Sequence, residues 1–214
     1  MNTSCNGTTA SNLLDFADLE SFGQNNFSKE IEDVDCVLKF IEDKIEFYGG
    51  NPNEIYLIGH SRGGGIAVLM AQRNNKIKKL ITWASVASFD YFFNTIDIAK
   101  WKSDGVVYTY NSRTQQNMPL YYNFYENYIE NYSNLNVLKS ASEFDKDWLI
   151  VHGKNDESVS VSAAYELKNQ NANTKLHIVK DANHTFGGKH PYTEKELPQE
   201  SIELINKSIE FLKL

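Results

Sequence analysis

Apolar residues recur at a helical interval in the first quarter of the chain, after a polar and irregular stretch of residues 1–26. The recurring positions are spaced by three and four residues: Ile31, Val34, Val37, Leu38, Ile41 and Ile45. This spacing predicts one amphipathic helix of about five turns. Gly49 and Gly50 follow the last apolar position and are expected to end the helix.

Four short apolar runs come next, and each has the length of a buried strand. They cover Ile55–Ile58, Leu80–Val86, Trp148–Val151 and Leu176–Val179. Helical patterns lie at residues 62–73, at 162–169 and in the C-terminal stretch that contains Ile202, Ile205, Ile209 and Leu212. Strands that alternate with helices predict an α/β protein with a mostly parallel sheet and helices on both faces.

One long segment, residues 89–135, interrupts this alternation. Of the 44 residues from Phe89 to Tyr132, 13 are aromatic, which is more than twice the whole-chain fraction of 13%. Such an insertion is either a helical element whose aromatic residues pack on the body, or a helical cap whose aromatic residues wall an apolar substrate pocket. No repeat or flexible linker divides the chain, so residues 1–214 are predicted to form a single domain that carries this insertion.

Composition and charge narrow the function. The chain has 214 residues, of which 41% are hydrophobic and 23% charged, a composition typical of a globular domain with a full core. A net charge of -7 leaves no basic surplus for nucleic acid, and no apolar run is long enough to span a membrane. The two cysteines form no paired motif, and Met1–Asn12 contains no apolar signal-peptide core. We therefore expect a cytoplasmic protein with neither a nucleic-acid nor a membrane partner.

The pentapeptide of residues 59–63, Gly-His-Ser-Arg-Gly, matches the pattern G-x-S-x-G. It lies directly between a predicted strand and a predicted helix, where a sharp turn would lift the Ser61 hydroxyl out of the sheet. Side chains at positions 59 and 63 are expected to collide with the neighbouring helix and strand. The alternative is a phosphate-binding turn, which would need G-x-G-x-x-G or a lysine after the last glycine. The pattern therefore favours Ser61 as a nucleophile.

A nucleophilic serine needs a base, and the base needs an orienting acid. Asp156 follows the third predicted strand and His184 follows the fourth, so both are expected at the same sheet edge as Ser61. Asp181 and Glu157 remain alternative acids. The competing histidines are His60, His152, His177 and His190.

Metal chemistry is the other possibility that the histidines raise. His152 with Asp156, and His184 with His190, have loosely ligand-like spacing. Neither an H-E-x-x-H motif nor paired cysteines accompany them. We expect no metal site and no cofactor.

With these motifs the chain resembles the α/β-hydrolase family, and most closely its dienelactone-hydrolase and acyl-peptidase-like branch. The resemblance rests on residues 59–64, on His152-Gly153-x-x-Asp156 and on residues 182–184, and it extends over the whole chain. It implies the α/β-hydrolase fold, with Ser61 as nucleophile, His184 as general base and then acid, and Asp156 as the orienting carboxylate. The backbone N–H of Arg62 is the predicted oxyanion donor.

The chain also departs from this family, whose members carry about four further strands and a helix upstream. One of those strands precedes an H-G segment that supplies a second oxyanion donor, and no glycine before Ser61 follows an apolar strand in that way. Removing one such donor in a serine protease slows turnover by about 100- to 1000-fold, so the resemblance predicts a poor catalyst. We hypothesise that the natural protein extends upstream by roughly 60 residues. A stop codon immediately before Met1 would contradict this.

Without the upstream strands, Ile55–Ile58 is expected to form an open sheet edge that invites self-association. The function expected from the sequence is hydrolysis of a small-molecule carboxylic ester through an acyl-enzyme on Ser61. A peptidase or amidase of the same fold is one alternative, and a catalytically impaired remnant or binding protein is another. Residues expected to line the substrate pocket are His60, Tyr121, Tyr122 and His190.

Overall fold

The chain divides into two units, and a computed structural model describes residues 3–12, 15–111, 114–189 and 191–213. The first unit comprises Met1–Lys44 and Asp90–Leu135, and the second comprises Ile45–Phe89 and Asn136–Leu214. Apart from Phe89, the predicted insertion 89–135 therefore lies in the first unit. The single-domain assignment stays a prediction.

The regular elements alternate along much of the chain. In order, they are α1 (Leu19–Gly23), α2 (Phe27–Lys44), β1 (Ile55–His60), α3 (Arg62–Arg73), β2 (Ile77–Trp83), α4 (Ile98–Asp104), β3 (Val106–Asn111), β4 (Gln116–Tyr121), α5 (Asn123–Glu130), α6 (Val137–Glu143), β5 (Asp147–Gly153), α7 (Ser162–Gln170), β6 (Thr174–Val179) and α8 (Gln199–Leu212). None of the helices in the described ranges has both the length and the apolar composition that crossing a membrane requires.

The second unit is built on a four-stranded sheet with the order β1-β2-β5-β6. Every neighbouring pair in this sheet is parallel. Residues 148–153 of β5, at the centre, are all buried, as expected for a strand covered on both sides. The parallel sheet confirms the α/β prediction.

Helices cover both faces of this sheet. On one face, Leu204 and Phe211 of α8 join a buried cluster with Ile81, Leu149 and Val151. On the other face, α3 packs on β1 and β2, α7 packs on β5 and β6, and α6 lies between these two helices. In a parallel α/β sheet of this kind, ligands bind at the carboxyl ends of the strands.

Strand β1 lies at an edge of the sheet. Within the described residues it pairs with β2 alone. The Ile58 side chain is 45% exposed, which is unusual for an apolar residue in the middle of a strand. The open edge expected from the sequence is therefore present, while self-association through it stays a prediction.

Several boundaries differ from the sequence prediction. Helix α2 ends at Lys44, before Ile45 and the two glycines that were expected to end it. Strand β2 begins at Ile77, and it ends at Trp83 rather than Val86 because Ala84 adopts a left-handed φ of 46°. The polar stretch 1–26, for which no element was predicted, contains the short helix α1. Asp18 caps it by accepting a hydrogen bond from the Ser21 N–H.

The first unit is helical only in part. Strands β3 and β4 form an antiparallel hairpin where a helical insertion was expected. The β3 sequence Val-Val-Tyr-Thr-Tyr is rich in β-branched and aromatic residues, which suit a pleated strand better than a helix. Many of the aromatic side chains pack on one another and on Phe27 of α2, with Phe93, Phe124 and Tyr128 at the centre. These aromatic residues form the interior of the unit.

Candidate active site

Ser61 occupies a sharp turn between β1 and α3. Its backbone has φ 56° and ψ -125°, a conformation that costs free energy for a residue with a Cβ. Neighbouring backbone groups hold the turn, since the Ser61 N–H donates to the Trp83 carbonyl and the Gly64 N–H donates to the Ser61 carbonyl, each at 2.9 Å. The strain therefore persists because the sheet and the helix both restrain the same residue.

Glycines allow this turn to form, although only one of the two glycines in the motif lies where a side chain would collide with its neighbours. A Cβ at Gly59 would lie 2.3 Å from the Gly63 carbonyl oxygen and 2.7 Å from the Ala67 Cβ. A Cβ at Gly63 would meet nothing within 4 Å, so the predicted collision at that position is wrong. The crowded helical positions are Gly64, where a Cβ would lie 2.5 Å from the Ser85 Oγ, and Gly65, where it would lie 2.8 Å from the Val86 Cγ2.

Gly59 and Gly63 offer a matched test of this packing. We expect Gly59→Ala to destabilise the chain by about 1–3 kcal/mol or more, because backbone atoms cannot move away from the new methyl group. That loss corresponds to a fall in melting temperature of roughly 2–12 °C. Gly63→Ala should leave the melting temperature unchanged or raise it slightly, since alanine favours the helix. Equal losses in thermal unfolding experiments would contradict the steric explanation.

The structure brings Ser61, His184 and Asp156 into one hydrogen-bonded series. His184 Nε2 lies 2.9 Å from the Ser61 Oγ, and His184 Nδ1 lies 2.8 Å from the Asp156 Oδ2. A carboxylate accepts hydrogen bonds only, so Nδ1 carries the hydrogen and Nε2 offers a lone pair to the serine hydroxyl. The site has the geometry of a nucleophile, a base and an orienting acid.

Asp156 is held by the turn that follows β5. Its side chain is fully buried. The Oδ1 atom accepts hydrogen bonds from the backbone N–H groups of Ser158 and Val159, at 2.9 and 2.8 Å, and Oδ2 faces His184. The alternative acids, Glu157 and Asp181, are both exposed.

His152 touches the same acid, a contact that sequence reasoning missed. Its Nε2 lies 2.9 Å from the Val159 carbonyl oxygen and 3.3 Å from the Asp156 Oδ2, and its side chain has no exposed surface. Burial lowers the pKa of His152, which therefore favours the neutral form at neutral pH. The i, i+4 spacing of His152 and Asp156 was the available signal, but it was used only for the family resemblance and for a possible metal site, not for a contact between the two side chains.

The remaining candidates lie in different places. His177, on β6, lies 2.6 Å from Glu203 of α8, and His190 lies outside the described residues. Tyr121 and Tyr122 belong to the first unit, where the Tyr121 hydroxyl donates to Glu20. That Tyr121, Tyr122 and His190 contact substrate stays a prediction.

The predicted oxyanion donor, the N–H of Arg62, belongs to the first residue of α3, directly after Ser61. The amino end of a helix favours negative charge, so this position suits a developing oxyanion. In the described ranges, no three His, Cys, Asp or Glu side chains are grouped so that they could hold a metal ion.

A parallel sheet with helices on both faces, and a serine on a strained strand-to-helix turn beside a histidine and an aspartate, define the α/β-hydrolase class. A family model for BD-FAE matches residues 17–170, which is more than half of the chain. The chain belongs to the BD-FAE family.

Solved structures with the same fold come from several organisms. Est1E from Butyrivibrio proteoclasticus has a TM-score of 0.63 at 20% identity over 89% of this chain and 72% of its own, and it has also been solved with ferulic acid bound. The monoacylglycerol lipase from Paleococcus ferrophilus has a TM-score of 0.64 at 14% identity over 89% of this chain and 76% of its own. At these identities the similarity establishes the fold.

One curated relative is similar in sequence over a shorter region. The isoprenylcysteine alpha-carbonyl methylesterase ICME of Arabidopsis thaliana is 33% identical over 78 residues. The match covers 35% of this chain and 18% of that protein, so the chain spans only about a fifth of the curated relative.

Proposed function

We propose that this chain is a serine hydrolase that cleaves a carboxylic ester through an acyl-enzyme on Ser61. The observation that carries the proposal is the hydrogen-bonded series of Ser61, His184 and Asp156. A serine hydroxyl becomes a good nucleophile only when an adjacent base accepts its proton, and a third group must orient that base. Membership of the BD-FAE family and the partial match to a methylesterase support the same class of reaction.

In the acylation half of the reaction, the Ser61 Oγ attacks the ester carbonyl carbon while His184 Nε2 accepts the hydroxyl proton. The carbonyl electrons move onto its oxygen, to which the N–H of Arg62 donates a hydrogen bond. When the tetrahedral intermediate collapses, the bond to the alkoxy oxygen breaks and His184 transfers its proton to that oxygen. An alcohol leaves, and the acyl group remains on Ser61.

Deacylation uses the same groups with water as the nucleophile. The water oxygen attacks the acyl carbon while His184 Nε2 accepts a proton from the water. His184 then transfers this proton to the departing Ser61 Oγ. A carboxylic acid leaves, and the serine is regenerated. Throughout, the buried Asp156 carboxylate keeps the hydrogen on Nδ1 and stabilises the imidazolium that forms in each half-reaction.

An ester is a better substrate for this site than an amide. Alkoxide leaving groups depart more readily than amide nitrogens, so ester cleavage requires less stabilisation of the tetrahedral intermediate. With one predicted oxyanion donor, Arg62, the easier reaction is the one that the site suits. The proposed acyl group is aromatic, in keeping with the ferulic acid bound to the structural neighbour Est1E.

The proposal is tested by incubating the purified chain with a fluorophosphonate probe and assaying it on 4-nitrophenyl acetate, methyl ferulate and a peptide 4-nitroanilide. We expect covalent labelling at Ser61, located by peptide mass spectrometry, and faster turnover of the esters than of the anilide. A chain that is folded by circular dichroism but neither labels nor cleaves an ester would contradict the proposal and favour a binding protein. Faster cleavage of the anilide would point to a peptidase.

A further inference from the structure

We propose that His60 is a positioning residue, which holds the backbone that carries His184 against the turn that carries Ser61. This inference rests on the proposed function, since it assigns His60 a task in the same reaction. It also differs from the sequence prediction, which placed His60 in the substrate pocket. The distinction matters because a positioning residue affects the rate of bond formation, whereas a pocket residue affects substrate binding.

The contact that carries the inference joins a side chain to a backbone carbonyl. His60 Nε2 lies 3.0 Å from the carbonyl oxygen of His184, a residue 124 positions away in the sequence. A carbonyl oxygen can only accept a hydrogen bond, so Nε2 of His60 carries the hydrogen and donates it. The two imidazole rings also touch, with centroids 4.8 Å apart and planes inclined by 43°.

The loop that bears His184 is anchored on its other sides by groups that do not reach the nucleophile turn. The Asn183 Oδ1 accepts from the N–H groups of Thr185 and Gly187, which closes the loop on itself. The Asn155 N–H donates to the Ala182 carbonyl, which ties the loop to the segment after β5. By contrast, the side chain of His60, the last residue of β1, donates a hydrogen bond to the backbone carbonyl of His184 itself.

The charge state of His60 suits this task. Partial burial lowers the pKa of His60 and is the largest influence on it. The hydrogen bond to the His184 carbonyl and the charge of Asp156 act in the opposite direction, whereas the His184 and His152 rings lower the pKa further. Neutral His60 still donates from Nε2, and it places no positive charge beside the imidazolium that His184 becomes during catalysis. A protonated His60 would oppose that imidazolium, so the neutral form is the productive one.

The hydrogen bond from His60 to the His184 carbonyl also restricts the position of the His184 backbone relative to the turn that carries Ser61. Ser61 and His184 belong to different segments, and the bonds of the His184 ring to Ser61 and Asp156 hold side-chain atoms only. Fixing the His184 backbone relative to residue 60 restricts the separation of the Ser61 Oγ and His184 Nε2. A misplacement of about 1 Å between reacting groups can lower a rate by roughly 100-fold.

The test compares His60→Leu with His60→Gln, and uses His177→Gln as a histidine control, since the His177 side chain bonds to Glu203 of α8. Leucine removes the donor, whereas the glutamine amide reaches approximately the position of Nε2 and can still donate to a carbonyl. We expect His60→Leu to lower kcat by about 10- to 100-fold with KM changed less than about twofold, and to slow fluorophosphonate labelling in parallel. His60→Gln should recover most of the lost kcat, and His177→Gln should match the wild type.

A further readout is the pH dependence of kcat/KM. The kcat/KM of the wild type should fall more steeply towards acid pH than that of His60→Gln. Protonation of His60 places a positive charge beside the imidazolium that His184 becomes during catalysis, and glutamine cannot be protonated in this way. Thermal unfolding of each variant separates positioning from loss of the fold.

A rise in KM with unchanged kcat would overturn the inference in favour of a pocket role. Equal damage in the leucine and glutamine variants would also overturn it. Failure of the proposed function is recognised separately, since the wild-type chain would then neither label nor hydrolyse esters.

Discussion

Replacing Ser61 by alanine is expected to abolish fluorophosphonate labelling and to reduce ester hydrolysis to the background rate. Removal of the nucleophilic serine from a well-studied serine protease lowers kcat by about 10⁶-fold, and the same order is expected here. Alanine keeps the Cβ that the strained turn already accommodates, so the fold should survive. Labelling is read by in-gel fluorescence, and hydrolysis by release of 4-nitrophenol.

Ser103→Ala provides the matched control for Ser61→Ala. Ser103 is an exposed serine in α4, in the first unit, where alanine is a favourable helical residue. This variant should label and hydrolyse like the wild type, with a similar melting temperature. Labelling that persists in Ser61→Ala would refute the assignment of the nucleophile, because another residue would then carry the acyl group.

The second large effect is expected from Asp156→Asn, which should lower kcat by about 10⁴-fold. The buried Oδ2 of Asp156 accepts the hydrogen on His184 Nδ1 at 2.8 Å. An asparagine that presents its NH₂ group to Nδ1 would require a bare nitrogen there, and the hydrogen would move to Nε2. The base would then have no lone pair facing Ser61. Steady-state kinetics on 4-nitrophenyl acetate measures this loss, and KM should change little.

Asp181→Asn separates the two aspartates that the sequence offered as acids. Asp181 is exposed, and its neutralisation should leave kcat within about twofold of the wild type. A loss in Asp181→Asn as large as that in Asp156→Asn would show that the acid has been misassigned. Fluorophosphonate labelling of Ser61 also depends on activation by His184. Labelling should therefore be slow in Asp156→Asn and as fast as the wild type in Asp181→Asn, which measures the difference between the two aspartates independently of ester hydrolysis.

The residues of the candidate site could be read from the sequence because their signals are local. A G-x-S-x-G pattern between a strand and a helix depends on a few consecutive residues, and the strained Ser61 lies in that position. Asp156 and His184 follow apolar runs, and parallel strands end at one edge of the sheet. Four histidines and two acids remained as alternatives, because the order of residues along the chain does not give the distances between their side chains.

Sequence patterns predicted less where a contact, a strand end or a pairing depends on residues that lie outside the segment. The motif predicted a collision at Gly63, but the crowded helical positions are Gly64 and Gly65, because Ser85 and Val86 from the loop after β2 lie against them. The apolar run through Val86 extended past the end of β2, where Ala84 turns the chain away. Strands β3 and β4 form an antiparallel pair, which depends on contacts between the two strands rather than on either strand alone.

By itself, the sequence determined the α/β alternation, the strained serine turn and the chemistry of the three groups that the site requires. These follow from periodicity and from residue types, which act over a few positions. Only the tertiary structure decided which side chains meet across 123 residues, that His60 binds the backbone of His184, and that His152 lies against the acid. Such contacts arise when separate strands pack into one sheet, so no local pattern contains them.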